Sequence, residues 1–210
     1  MIFYIDTTSD YLYSCIYQDG NIICEIKKNL GHNLSVYSVD EINKMMESVN
    51  IKPNDIDKII VVTGPGSFTG IRIGVTIAKI FAYTLNKKIT TITSLDAMAN
   101  SINTDDLIVP MIDARRGYVY AKIIDHDNII MEDSYLSLEK LLLILNGLNK
   151  KYQIITNNHF DFDTKEYSPN FKKIIGKFKD KENINPHLVN PTYFKLTEAE
   201  ENKMKEESND

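Results

Sequence analysis

Apolar positions follow two rhythms along this chain. Near the start they come in short β-type runs, Ile2–Asp6, Tyr11–Tyr17 and Asn21–Lys27, with Gln18-Asp19-Gly20 between the last two. Asp-Gly between two such runs predicts a hairpin, since a type I′ turn needs two residues that tolerate positive φ. A two-residue Asp19-Gly20 loop would set Gln18 opposite Asn21 and Cys15 opposite Cys24. The rhythm then changes to a helical period. Leu34, Tyr37 or Ser38, Glu41 or Ile42, Met45 and Val49 fall three to four apart, with Asn33 placed to cap the start and Lys52-Pro53 to close the end.

The next stretch predicts a parallel β-loop-α-β unit. Lys58–Thr63 is an Ile/Val strand, Gly64-Pro65-Gly66-Ser67-Phe68-Thr69-Gly70 a loop, Ile71–Leu85 a helix apolar on nearly every side, and Ile89–Thr93 a second strand. Ser94 is placed to cap a short helix through Ala99, and the polar run Asn100–Asp106 reads as a boundary between lobes. Beyond it, Leu107–Ile112 and Tyr118–Asp125 read as strands around Asp113-Ala114-Arg115-Arg116-Gly117. Ile129–Tyr135, a helix over Leu138–Leu148 and a strand over Gln153–Thr156 follow, and Asn157–Asn190 reads as irregular. Strand, Asp-bearing turn, strand, strand, helix thus occurs twice, with Asp6 and Asp113 at matching points. This predicts an α/β protein of two related lobes, residues 1–104 and 105–195, with an acidic helix or tail over 196–210.

Composition narrows the function classes. The 210 residues carry 24 Lys and Arg against 29 Asp and Glu, a formal charge of 24 − 29 = −5, which makes a poor stand-alone nucleic-acid binder. From Thr197 onward there are six acids and two lysines, so −4 of that charge lies in the tail. No apolar run reaches the ~18 residues of a membrane span. The apolar N-terminal run has no basic flank of the kind a signal peptide carries, which leads to the expectation of a cytoplasmic protein without a membrane partner. Cys15 and Cys24 read as small core hydrophobes rather than a disulfide or metal site. Lysine outnumbers arginine 21 to 3, and the arginines, Arg72, Arg115 and Arg116, all stand beside glycines in two short motifs. A lysine cannot reproduce a guanidinium fork.

The motif from Gly64 to Gly74 is neither a Walker loop nor Gly-x-Gly-x-x-Gly, because Gly70 falls one residue late. Gly64-Pro65-Gly66 makes a tight turn at a strand's carboxyl end. Gly70 and Gly74, four apart, let another backbone come close at the helix start. Two uses fit equally, an anion or partner loop at the helix N-terminus, or close packing without a ligand. The four histidines, His32, His126, His159 and His187, form no ligand pair, and no nucleophile, base and orienter assemble.

Ile5-Asp6-Thr7, the block Gly64 to Gly74, Ile112-Asp113-Ala114-Arg115-Arg116-Gly117-Tyr118-Val119-Tyr120, and Pro191-Thr192-Tyr193-Phe194 with Glu198-Ala199-Glu200 occur in order. This closely resembles the TsaB (YeaZ) family of the tRNA threonylcarbamoyladenosine machinery, over almost the whole chain. The resemblance implies an actin-like fold of the sugar kinase/heat-shock/actin type and a non-catalytic partner of TsaD, the threonylcarbamoyl-transferring subunit. It also implies a TsaE-like ATPase in the assembly, contact with tRNA only through the complex, and a homodimer when alone. No cofactor held tightly by the chain alone and no metal are implied, while a nucleotide at the complex interface is compatible with it. The pairing element would be the helix after the hairpin, here Asn33, Leu34, Tyr37, Ser38, Glu41, Ile42, Met45, Met46 and Val49. The cleft motifs would be Asp6 and Thr7, then Gly64, Pro65, Gly66, Ser67, Phe68, Thr69, Gly70, Arg72 and Gly74, then Asp113, Arg115 and Gly117. The catalytic paralogue's His-x-x-x-His is reduced here to His32 with Val36 four residues on. Thr7-Thr8 stands where a nucleotide loop has a glycine two residues past the aspartate. The competing class is a stand-alone enzyme of the same fold, a small-molecule kinase or a glycoprotease-like peptidase.

Overall fold

The computed structural model describes residues 1–194; the expected acidic tail, 196–210, lies outside the described residues. Strands β1 (Ile2–Asp6), β2 (Tyr11–Gln18), β3 (Asn21–Asn29), β4 (Lys58–Val62) and β5 (Lys88–Ile92) form one sheet in the order β3-β2-β1-β4-β5. Strands β6 (Leu107–Asp113), β7 (Tyr118–Asp125), β8 (Asn128–Ser137), β9 (Tyr152–Thr156) and β10 (Lys165–Glu166) form a second, in the order β10-β9-β6-β7-β8. In each sheet the first strand pairs antiparallel with the second and parallel with the fourth. The two lobes therefore share one topology, as the doubled pattern implies.

Period-two alternation sorts the side chains. Phe3, Ile5, Ile59, Val61 and Ile89 face the helices α1 (Leu34–Ser48) and α2 (Phe68–Thr84). Tyr4, Ile60, Val62 and Ile92 face the other way, into a central layer with α3 (Ser94–Ala99) and α5 (Phe171–Phe178). Ile108 and Ile155 of the second sheet enter the same layer, so the lobes share a core. The outer face of the second sheet, with Val109, Met111 and Ala121, packs under Leu141 and Leu145 of α4 (Leu138–Leu148). Across the shared layer, buried Lys122 of β7 binds Asp96 of α3 at 2.7 Å and Asp133 of β8 at 3.0 Å. Burial works against its charge, yet the two carboxylates hold its pKa above the ordinary lysine value.

The structure departs from the sequence reading at four places. The hairpin turn has Asp19 and Gly20 both at positive φ, as expected, but a bulge between Ile16 and Tyr17 shifts the register. Cys24 then pairs with Ile16, and Cys15 with Glu25. The two thiols consequently occupy different clusters, Cys15 in the central layer and Cys24 against the α1–α2 core. Asn33 stands at the N-cap of α1 without a side-chain hydrogen bond. Thr93, not Ser94, caps α3, in a capping box with Asp96. The stretch Asn157–Asn190 is not irregular, for it contains β10, α5 and a 3₁₀ turn over Pro186–Leu188. Helix α5 is only eight residues long, and its Phe171, Ile174 and Ile175 are buried against the N-terminal sheet rather than their own.

Phe171 meets Tyr4 edge-on at 5.4 Å between ring centroids, at the centre of the shared layer. Phe171→Ala is expected to cost about 3–5 kcal/mol, read as a lowered urea midpoint. Because both lobes lose packing together, the transition stays single.

Candidate functional site

The carboxyl ends of β1 and β4 meet the start of α2. Asp6 is buried, and its Oδ1 accepts from the Thr8 amide at 2.8 Å and the Thr8 hydroxyl at 2.7 Å. This local side-chain bond turns the chain straight out of β1. Burial pushes the Asp6 carboxyl above the ordinary aspartate range, against the lowering effect of the two Thr8 bonds. The turn then runs into the glycine motif. Thr8 O accepts from the Ser67 amide at 2.7 Å, and Thr7 Oγ1 donates to Gly70 O at 2.7 Å. Ser94 Oγ donates to Pro65 O at 2.6 Å, tying α3 to the same loop.

The glycines are required by this approach. A Cβ on Gly66 would stand 2.2 Å from Thr8 O, one on Gly70 2.1 Å from Thr7 O, and one on Gly74 2.5 Å from Thr7 Oγ1. The described residues pack closely here. The Thr7-Thr8 turn packs against Gly66, Gly70 and Gly74, and Ser67 Oγ accepts from the Gly70 amide at 3.2 Å.

The C-terminal strap closes the loop from the far side. The Thr192 amide donates to Thr63 O at 2.8 Å, and the two threonine hydroxyls lie 2.9 Å apart. Tyr193 stacks on Phe68 at 5.3 Å and accepts at 3.0 Å from Arg72 Nε, whose guanidinium lies 3.9 Å over the Phe68 ring. Ser67, Phe68, Thr69 and Arg72 are exposed, whereas Gly64, Pro65, Gly70 and Gly74 are buried.

In the second lobe Asp113 repeats the Asp6 turn. Its Oδ1 accepts from the Arg115 amide at 2.8 Å, and Gly117 O accepts from the Leu138 amide. Arg115, Arg116 and Gly117 all have positive φ, and this turn is open to solvent where the first is buried.

The expected pairing helix needs correction. Leu34, Ser38, Ile42, Met45 and Met46 are buried in the chain's own core, so the apolar stripe faces inward. Glu41 is held by Lys28 at 2.8 Å, and Val49 is half-buried. Asn33 and Tyr37 are exposed, and the outward apolar residues are Val36 and Val39, at 64% and 60% exposure, which the sequence reading passed over. On α2, Ile80 and Tyr83 are also exposed. Among the described residues no three His, Cys, Asp or Glu side chains converge as metal ligands, and no helix is long and apolar enough to cross a membrane.

Two lobes of one topology around a shared layer, with a glycine loop where first strand meets helix, define an actin-like protein. A crystal structure of a protein with similarity to the peptidase YeaZ from Pseudomonas aeruginosa has the same fold, at TM-score 0.78 and 14% identity, over 92% of this chain and 99% of that one. A family model described as TsaD, tRNA N6-adenosine threonylcarbamoyltransferase, matches residues 30–178. The tRNA threonylcarbamoyladenosine biosynthesis protein TsaB of Bacillus subtilis is 31% identical over 216 residues, covering 93% of this chain and 94% of that protein. TsaB of Buchnera aphidicola is 25% identical, covering 90% and 97%. The chain belongs to the TsaB family.

Two substitutions test the packed loop. Gly74→Ala is expected to cost about 1–3 kcal/mol through overpacking on Thr7 Oγ1. Combined with Thr7→Ala the loss is less than additive, a coupling read from a double-mutant cycle of denaturant midpoints. Asp6→Asn keeps the Oδ1 acceptor but cannot ionise. The folded-state pKa of Asp6 lies above its unfolded value, so the folded chain holds the proton longer. Stability contributed at Asp6 is present at low pH and falls as pH climbs from the ordinary aspartate range through the raised pKa. The Asp6→Asn protein therefore gains on the wild type across that window, and a difference independent of pH would refute the assignment.

Proposed function

We propose that this chain is a non-catalytic accessory subunit of the machinery that forms threonylcarbamoyladenosine in tRNA, and that it pairs with and supports a TsaD-like catalytic subunit. Membership of the TsaB family supports the pathway. The observation that carries the non-catalytic role is the filled glycine loop. Thr7 and Thr8 pack tightly against Gly66, Gly70 and Gly74, Thr8 stands where a nucleotide loop has its glycine, and Ser67 caps the helix start. A TsaE-like ATPase completes the assembly, and the chain works in the cytoplasm.

The surface offered to the catalytic subunit is the outward side of α1 and α2, with exposed Val36 and Val39 on the first and Ile80 and Tyr83 on the second. An apolar side of two adjacent helices suits a helix-on-helix contact with a partner of the same fold or with a second copy. Homodimer and heterodimer then compete for one surface.

Light scattering on the chain alone and mixed with the TsaD-like subunit of the same organism tests this reading. The expected result is a heterodimer formed at the expense of a homodimer. Val39→Asp removes the heterodimer with little change in melting temperature, because Val39 is mostly exposed. Met45→Asp instead unfolds the chain by placing a carboxylate in the core. A Val39→Asp protein that still pairs would remove this surface from the interface.

A further inference from the structure

The three arginines share a strip that the packed loop does not explain. It starts at Arg72, over Phe68 and bonded to Tyr193. From Tyr193 the chain passes to Phe194, whose ring lies 6.1 Å from Tyr120 of β7. Tyr120 lies 5.4 Å from Tyr135 of β8, and Tyr135 is stacked on Tyr118 at 5.0 Å. Tyr118 follows directly on the turn that carries Arg115 and Arg116. Ring contacts and chain neighbours together thus link Arg72 in one lobe to Arg115 and Arg116 in the other. Phe68, Tyr193 and Tyr118 are 51%, 46% and 42% exposed.

Its charge is unusual for this chain. Every ion pair among the described residues uses a lysine, His126 or the N-terminal amine, and none uses an arginine. Arg72 bonds a neutral phenol, and the Arg115 and Arg116 side chains stand exposed on a turn of three positive-φ residues. Three guanidiniums unneutralised by the described residues, together with the partly exposed Phe68, Tyr193 and Tyr118, match phosphate and base together.

We infer that this strip binds a single-stranded stretch of RNA, bases stacking on the exposed rings and phosphates on Arg72, Arg115 and Arg116. The choice of RNA over DNA rests on the function proposed above. An acidic peptide would satisfy the arginines but leave the rings unused. Of the overall charge of −5, −4 lies from Thr197 onward, three residues beyond Phe194 of the strip, so it opposes RNA phosphate there and the arginines must act against it. The tRNA contact is then direct and made by this chain, rather than only through its partner.

Fluorescence anisotropy of the full-length chain with a labelled RNA stem–loop, at low and at physiological salt, tests the assignment. Wild type binds, more weakly as salt rises. Arg115→Ala/Arg116→Ala weakens binding roughly tenfold and lowers the log–log salt slope by about 1.4, two phosphate contacts at ~0.7 each. Arg115→Lys/Arg116→Lys restores the slope. Tyr118→Ala loses roughly tenfold with the slope unchanged. Lys44→Ala, on the remote helix α1, binds as wild type does, and near-UV circular dichroism confirms that each variant is folded. A wild-type chain that does not bind, or variants that bind equally well, would overturn the proposal. Binding seen only in Glu198→Gln/Glu200→Gln/Glu201→Gln would assign the strip to the acidic C-terminal segment and overturn it too. Pairing with the catalytic subunit is read separately by light scattering, so either result can fail while the other stands.

Discussion

The contact between the Thr7-Thr8 turn and the first turns of α2 is the constraint on which the rest of the N-terminal lobe depends. It requires glycine at 66, 70 and 74, because a backbone oxygen or hydroxyl stands where each Cβ would be. It requires a buried Asp6 to turn the chain at the end of β1. It also sets where α2 begins, and so which faces of α1 and α2 turn inward to the sheet. A buried carboxylate is an expensive way to build a turn. Here it is compensated by two hydrogen bonds from one threonine, and the folded lobe keeps that threonine beside Ser94 of the adjoining helix.

Much of this was legible in the sequence, for reasons that can be stated. Period-two runs and Asp-Gly located the hairpin, and β4-loop-α2-β5 was visible from an Ile/Val strand, a glycine cluster and an apolar helix. The doubling of the lobes could be seen in Asp6 and Asp113, and the structure gives both the same two-residue turn. These signals are local, involving neighbours in sequence or one turn away. The glycine motif was legible as a place of close approach, but what approached it was not. Thr7 and Gly70 are 63 residues apart, and no spacing rule joins them.

Failures of the sequence reading have equally definite causes. A one-residue bulge reversed the expected relation of Cys15 to Cys24, because register alternates faces at every step. The apolar stripe of α1 was visible, but a stripe alone does not say whether it meets the chain's own sheet or another molecule. The structure turns Met45 and Met46 inward and leaves two β-branched residues, Val36 and Val39, outside. Helix α5 escaped notice because its eight residues are rich in lysine and its apolar side chains serve the other lobe's sheet. The aromatic strip joins residues 68, 118, 120, 135, 193 and 194, a grouping that only the folded chain makes.

The last described residues carry a consequence for how the chain matures. Lys58 Nζ donates to Lys179 O and Lys181 O, the Ile184 amide donates to Ile89 O, and Thr192 closes on Thr63. The N-terminal sheet and its glycine loop are thus finished by segments more than 90 residues downstream. During synthesis the first lobe emerges with its β5 edge, the back of β1 and one side of its loop still bare. Chains emerge at ~5–20 residues per second, so that interval lasts several seconds in the cell. A nascent chain in that interval exposes apolar sheet surface that the folded protein hides.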